Sequence, residues 1–330
     1  MLATLRHRRV TQEGIVFALA VVLFALFSLT LSNFLTPGNL IALVRSVSIL
    51  GILGLGMGLV IISRGIDLAM VATMVVASSW VLALSTHSGV ALGWAVALGA
   101  AFVIVVGVVN GILVAYALVP AIFTTLAAGL VVYGVGRAWL FQVDVQNTPA
   151  GSRFFEILGR GKVFGIPMLI IAFAVVAVLV WAVLRWTRVG RFVYASGDNP
   201  AAARIAGIPL RPLMVAQYVV TALIAYLAGL VMAAADSGMS TRVYNSTMIY
   251  DVLLVVVLGG IGLSGGRGGV RNVLVGTLLV GVLLNGMTIY DIPYTQQNLI
   301  KSLILLFAIV VDSFLNPRDE QTAQQEQGDI

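Results

Sequence analysis

Ten long apolar segments, separated by short polar stretches, occupy most of this 330-residue sequence. They lie at about 14–31, 40–62, 69–86, 91–116, 120–142, 166–186, 212–235, 248–263, 272–290 and 296–315. A helix needs about 20 apolar residues to cross a hydrocarbon core of roughly 30 Å, and most of these segments reach or approach that length. The pattern predicts an all-α membrane protein, a polytopic bundle of about ten transmembrane helices with glycine-interrupted segments.

Composition excludes several other classes of protein. Hydrophobic residues make up 60% of the chain and charged residues only 10%, whereas a soluble domain is roughly 25% charged. The net charge of +6 does not indicate nucleic-acid binding, because the basic residues lie between apolar segments rather than on one face with interleaved aromatic residues. The absence of cysteine excludes disulfides, cysteine zinc sites and thiol catalysis.

The basic residues predict the orientation of the bundle, because cytoplasmic loops are enriched in Lys and Arg. With the N-terminus inside, residues 1–13 form a cytoplasmic tail, 14–315 the transmembrane domain and 316–330 a second cytoplasmic tail. The cytoplasmic side then receives Arg6, Arg8, Arg9, Arg64, Arg185, Arg188, Arg191, Arg204, Arg211, Arg267, Arg271 and Arg318. The outer side receives only Arg153, Arg160, Lys162 and Arg242.

Most of the glycines are expected to pack helices against one another. Gly54 with Gly58, and Gly107 with Gly111, have the small-xxx-small spacing that lets two helix backbones approach closely. These pairs predict a bundle with a protein interior rather than a set of helices that are isolated in lipid.

Two interruptions of the apolar pattern, at 63–68 and 258–268, are candidates for more than packing. The first contains Asp67, which either caps the next helix in a short cytoplasmic turn or lines a cavity. The second contains Gly259 and Gly260, and a broken helix is tolerated at membrane depth only when it is buried in protein or lies beside water. It is not a phosphate-binding loop, because no Gly-Lys-Ser/Thr follows. We therefore expect it to be part of a solute pathway.

Polar side chains inside the apolar segments are further candidates for that pathway. They are Asn110, Thr124, Thr125, Gln217 and Asn285. The alternative for each is a hydrogen bond that joins two helices. Lys301 and Arg137 also lie in apolar segments, where each reaches an interface or pairs with an acid.

The loop at 187–211 is the most informative part of the sequence. Asn199 is suited to cap a short helix, Pro200 suits its first position, and Gly207 followed by Pro209 ends it. A small, mostly apolar helix beside the membrane either lies on lipid headgroups or docks a partner protein, and we favour docking. The predicted docking helix comprises Asn199, Pro200, Ala201, Ala202, Ala203, Arg204, Ile205, Ala206 and Gly207.

At this loop the sequence resembles the permease subunit of a bacterial ABC importer of the ribose type. The family's loop pattern is matched by Gly190, Arg191, Tyr194, Ala195, Gly197, Asn199, Ala202, Gly207 and Ile208, whereas Asp198 and Ala206 replace the usual Gly and Ser. The family's Val-Pro-Ala and Thr-Leu are Val119, Pro120, Ala121, Thr125 and Leu126. Near the C-terminus the matches are Asp251, Leu258, Gly259, Gly260, Leu263, Gly265, Gly266, Gly268, Asn285, Gly286, Ile300, Lys301 and Asp312.

One motif of the resembled family is only half kept. The Gly-Ile-Asp-Leu part is present at 65–68, but Arg64 replaces the preceding Gly, and Ala69, Val71 and Ala72 replace the residues that usually follow. The usual Gly-Thr near the C-terminus is likewise Asn272-Val273. The resemblance nevertheless extends over nearly the whole chain.

The resemblance implies an assembly of two permeases with cytoplasmic ATPase subunits and a periplasmic substrate-binding protein in the bacterial inner membrane. ATP and magnesium would be bound by the ATPase, and this chain would bind no cofactor. The helix at 199–206 would transmit motion from the ATPase. The solute implied is a sugar or related polyol, and the second permease is another copy of this chain or a relative.

Two other classes of function compete with this one. A secondary transporter or channel would need its own ion-coupling residues, for which Asp67 and Asp251 are the only weak candidates. An intramembrane enzyme is disfavoured, because His7 in the N-terminal tail and His87 in a short outer loop are too far apart to build one site.

Overall fold

The computed structural model describes residues 12–141 and 143–315. The expected tails at 1–13 and 316–330, with His7, Arg6, Arg8, Arg9 and Arg318, therefore lie almost wholly outside the described residues. The helices are α1 Gln12–Thr30, α2 Pro37–Ile62, α3 Met70–Thr86, α4 Leu92–Ala115, α5 Ala121–Val135, α6 Arg153–Arg160, α7 Met168–Trp186, α8 Arg188–Asp198, α9 Pro200–Ile205, α10 Leu210–Ala235, α11 Met248–Leu258, α12 Val270–Ile289 and α13 Tyr294–Leu315.

Each of the ten predicted segments contains one of these helices, which confirms the all-α polytopic fold. Among the described residues, eight helices are long and apolar enough to cross a membrane, and α5 reaches that length by continuing through a π-helical turn at Gly136–Leu140. The other two are shorter, since α3 has 17 residues and α11 has 11. At 1.5 Å per residue α11 covers roughly 16 Å, about half of the hydrocarbon core. The predicted run at 248–263 therefore breaks part-way across.

Burial divides the helices into central and outer ones. Of the 18 residues that form the most apolar stretch of each helix, 61% are buried in α2 and 67% in α10, but only 6% in α13 and 17% in α1. The middle of α3 is almost wholly buried as well. The three helices α2, α3 and α10 thus form the centre of the bundle, and the break between α2 and α3 lies against protein rather than lipid.

The predicted glycine contacts are present. A Cβ atom on Gly107 or Gly111 of α4 would lie 2.6 Å from the Cα of Val219 or Val215 on α10, so these two helices touch backbone to backbone. Gly54 and Gly58 of α2 also make close contacts, but with side chains of the α11–α12 region rather than with its backbone. Close approach of this kind is how helices associate where lipid provides no hydrophobic driving force.

The bundle has two distinguishable ends. We call the end with α8 and α9 the loop end; it is the end that the charge distribution predicts to be cytoplasmic. The opposite, far end has α6, two short sheets and most of the ion pairs. Strand β1 Val145–Asn147 pairs antiparallel with β4 Gly238–Ser240, and β2 Lys162–Val163 pairs with β3 Ile166–Pro167 in a small hairpin.

Replacing Gly111 by alanine should destabilise the protein. The added methyl group would press on the backbone of Val215, and overpacking of this kind costs about 1–3 kcal/mol. Gly134 of α5 is the matched control, because nothing lies within 4 Å of the position that a Cβ atom would take there; alanine at that position should be neutral or slightly stabilising. Thermal unfolding of detergent-purified protein measures both, and equal melting temperatures would contradict the close α4–α10 contact.

Candidate functional site

The predicted docking helix is present as α9, and its ends are formed as expected. The Asn199 side-chain oxygen accepts a hydrogen bond from the Ala202 amide at 2.9 Å, and Pro200 takes the first helical position. At the other end Gly207 adopts a positive φ of 77°, and the Ile208 amide donates to the Ala203 carbonyl. Both ends of this short helix are therefore capped locally.

The surface of α9 is open and partly apolar. Ile205 is 89% exposed, and Ala201 and Ala202 are exposed too, whereas Ala203 is buried against the protein. Arg204 is the basic residue of the exposed surface. An isoleucine side chain that is this exposed, at the end of the bundle that faces water, is typical of a residue that a partner protein covers.

Helix α8 holds α9 against the membrane domain at a junction of three segments. The Gly266 amide donates to the Ile62 carbonyl at 2.7 Å, which joins the second glycine-rich break to the end of α2. A side chain on Gly197 would collide with both of these groups, so α8 ends directly against them. The Tyr194 hydroxyl completes the junction by donating to the Gly268 carbonyl at 2.8 Å. Burial raises the pKa of Tyr194, which keeps this donor protonated.

The glycines of the second break allow close packing and a tight turn. A Cβ atom on Gly259 would collide with the Asn272 carbonyl, and the Asn272 side-chain amide donates to the Gly259 carbonyl at 2.7 Å. Gly260 has a positive φ of 93° and turns the chain out of α11. The segment fits the requirement that irregular backbone in a membrane be buried in protein.

The first break lies at the same end and surrounds Asp67. This carboxyl is 3% exposed and accepts a hydrogen bond from the Ala69 amide at 3.0 Å, in the turn before α3. The N-cap position of α3 is Ala69 and this helix has no side-chain cap, so the helix-cap interpretation of Asp67 is wrong. Thr125 of α5 accepts from the Leu68 amide at 3.0 Å, and the hydroxyl of Tyr218 on α10 donates to the Ile66 carbonyl at 3.1 Å. Asp67 is thus a buried group that stabilises the turn before α3, held between α5 and α10.

Gln217 joins the same cluster but also borders a cavity. Its side-chain oxygen accepts from the Ser63 hydroxyl at 2.9 Å, while its nitrogen lacks a partner among the described residues. The cavity, of about 310 Å³, lies between α2, α7, α8 and α10, and its other lining side chains are apolar. A sugar needs several hydrogen-bonding groups, so this cavity does not suit one.

Two further candidates, Thr124 and Asn110, lie near the loop end. Thr124 bonds the Val119 carbonyl at 3.4 Å, just before its own helix. Asn110 is buried on α4, and its side-chain oxygen has no hydrogen-bond partner among the residues described. A buried unpaired carbonyl group is costly, which makes Asn110 a better pathway candidate than Thr124.

At the far end, each candidate side chain is paired with a side chain of another helix. Asp251 forms an ion pair with Lys301 at 2.7 Å, and Lys301 also donates to Thr247 at 2.9 Å. The amides of Asn285 and Asn39 exchange hydrogen bonds of 2.7 and 2.9 Å between α12 and α2. Arg137 likewise pairs with an acid, Asp144, at 2.8 Å. These contacts fit helix-joining roles.

The structure therefore separates the pathway candidates into two groups. Asp67, Thr125 and Gln217 gather around the first break, with Asn110, Thr124, Gly259 and Gly260 towards the same end, whereas Asp251 and Asn285 lie at the far end. Tyr218 was missed by the sequence reasoning. Its only signal was its position beside Gln217 in the first turns of an apolar helix.

A bundle of membrane-crossing helices with buried breaks and a short exposed helix at one end is the architecture expected for the membrane subunit of a transporter. Residues 39–310 match the family described as branched-chain amino acid transport system / permease component, and the chain belongs to that family. It is a transport subunit rather than an enzyme.

Relatives support the same class. The chain is 32% identical to the ribose import permease protein RbsC of Escherichia coli K12, over 88% of this chain and 91% of that protein. It is 34% identical to the L-arabinose ABC transporter permease protein AraH of Azospirillum brasilense, over 92% and 88%. It is 28% identical to the fructose import permease protein FrcC of Rhizobium meliloti, over 86% and 80%. No solved structure matches.

Neutralising one partner of the far-end ion pair should be more damaging than removing both. Asp251→Asn leaves the buried Lys301 ammonium without its counter-ion, and breaking a buried pair from one side costs about 3–5 kcal/mol. The double variant Asp251→Leu with Lys301→Met should recover most of that loss, because apolar replacement of both partners is often neutral. Melting temperatures of the purified proteins test this. A single variant as stable as the parent would show that the pair is not structural.

Proposed function

We propose that this chain is the permease subunit of an ATP-driven ABC importer that brings a sugar or related polyol into the cytoplasm. The observation that supports it most is α9, an exposed capped helix that is fixed by α8 to both helix breaks of the membrane domain. Such a helix offers a small surface through which a separate ATPase acts on the bundle. The residues of that surface are Ala201, Ala202, Arg204 and Ile205.

The solute class follows from the relatives. Their names specify ribose, L-arabinose and fructose, although the family description names branched-chain amino acids. Alignment over at least 80% of each of these relatives favours a sugar over an amino acid. The uncharged polar side chains near the first break, Thr125, Tyr218 and Gln217, are suited to hydroxyl groups.

The two ends of the bundle suit different partners. Cytoplasmic ATPase subunits, which bind ATP and magnesium, dock at the loop end, and a periplasmic substrate-binding protein docks at the far end. The hairpin at the far end presents a fully exposed Phe164 beside the exposed Lys162. A second permease, of the same or related sequence, packs beside this one in the bacterial inner membrane.

Replacing Ile205 by arginine should abolish ATP-dependent uptake without preventing insertion. The residue is 89% exposed, so the change leaves the fold intact but places a charge where the ATPase would dock. Ala202→Arg should act in the same way, and Ile205→Val is the control that keeps an apolar surface. The measurements are the amount of protein in the membrane, co-purification of the ATPase, and uptake of labelled ribose, L-arabinose and fructose. Full uptake by Ile205→Arg would rule out docking on α9.

Replacing Asp67 by asparagine should impair transport more than stability. Asparagine keeps a side-chain oxygen that accepts the Ala69 amide, so the hydrogen bond of the turn survives while the carboxyl group is lost. Thr86→Val, which removes a hydroxyl bonded within its own helix near the far end, serves as a control. Initial uptake rates and melting temperatures are compared. Parental transport by Asp67→Asn would leave Asp67 with a structural role in this turn alone.

A further inference from the structure

Arg64 stands at the end of α2 in a conformation that ordinarily belongs to glycine. Its φ is 66°, in the left-handed region that residues with a Cβ atom avoid. The motif that this segment resembles has glycine at the same position. A residue kept here against its backbone preference is expected to have a compensating side-chain role.

The side chain of Arg64 reaches the end of α8. Its Nε donates to the Gly197 carbonyl at 2.7 Å, and its Nη2 donates to the Asp198 carbonyl at 2.8 Å. These are the last two residues of α8, whose final carbonyls have no partner within the helix. A positive charge at this position also complements the negative end of the helix dipole.

The Arg64 contact lies between α9 on one side and the Asp67 break on the other. Towards the loop, Asp198 is followed by Asn199, which caps α9. Towards the membrane, Arg64 is three residues from Asp67 in the same break. The side chain passes close to Gly265, where a Cβ atom would lie 2.5 Å from the Arg64 Cγ, so the second break encloses the contact.

We propose that Arg64 is a positioning residue that links α9 to the Asp67 break, so that displacement of α9 by the ATPase moves the membrane segment with it. This inference rests on the proposed importer function. A fork of two hydrogen bonds fixes both the distance and the direction of the link, which a lysine cannot reproduce. Both carbonyl acceptors belong to the backbone of α8.

The test separates energy transmission from assembly. The complete complex, with its ATPase and binding protein, is reconstituted in vesicles, and ATP hydrolysis and sugar uptake are measured on the same sample with labelled ribose, L-arabinose and fructose. In Arg64→Gly, which relieves the backbone and removes the guanidinium, the number of sugars imported per ATP should fall about tenfold while hydrolysis continues. Arg64→Lys should fall between this variant and the parent.

Arg188→Ala is the matched control, because it removes an exposed arginine from the other end of α8. It should leave the ratio of uptake to hydrolysis unchanged. A parental ratio in Arg64→Gly would overturn the inference, as would loss of the ATPase from the complex or failure of both Arg64 variants to accumulate, since either shows a purely structural role. Absence of ATP-dependent uptake in the parent complex would instead overturn the proposed function.

Discussion

Backbone groups exposed by a break in a membrane helix must find partners in protein, because lipid provides none. In this chain the two breaks meet that requirement by facing each other. The end of α2 accepts a hydrogen bond from Gly266, and α8 closes on both through Gly197 and Tyr194. The position of α9 follows from this junction. Helix α9 is fixed to the membrane domain where the bundle is least regular, rather than to the side of a continuous helix.

The parts of this fold that were predicted correctly are those with local signals. Apolar length defined ten helical segments, and the Asn-Pro start and Gly end of α9 defined its caps within a few residues. The break at 258–268 was predicted from its glycines, but the turn by which the chain leaves α11 was not, because a cluster of glycines is compatible with several turns. Only the positive φ of Gly260 and the contact of Gly259 with α12 decide it.

The candidate site was harder to predict, because its members come together through distant contacts. Asn39 and Asn285 are 246 positions apart and exchange two hydrogen bonds, which no local pattern specifies. Asp251 is a weak candidate for ion coupling by sequence, but it lies 2.7 Å from Lys301. Polar groups inside a membrane are costly and pair wherever they can, so polarity alone does not distinguish a solute contact from a helix-joining one. A buried polar atom without a hydrogen-bond partner distinguishes them better, as with the side-chain oxygen of Asn110 and the side-chain nitrogen of Gln217 among the described residues.

Exposed apolar side chains have different meanings at different depths of this molecule. Leu303 and Phe307 of α13 are 58% and 70% exposed, but a surface surrounded by acyl chains gains nothing by being covered. Ile205 is 89% exposed at the end of the bundle where the basic residues collect and water replaces lipid. There the hydrophobic effect does favour a cover. The same measurement therefore says little about α13 and much about α9, and it is the position of α9 in water that supports the docking role proposed for its small apolar surface.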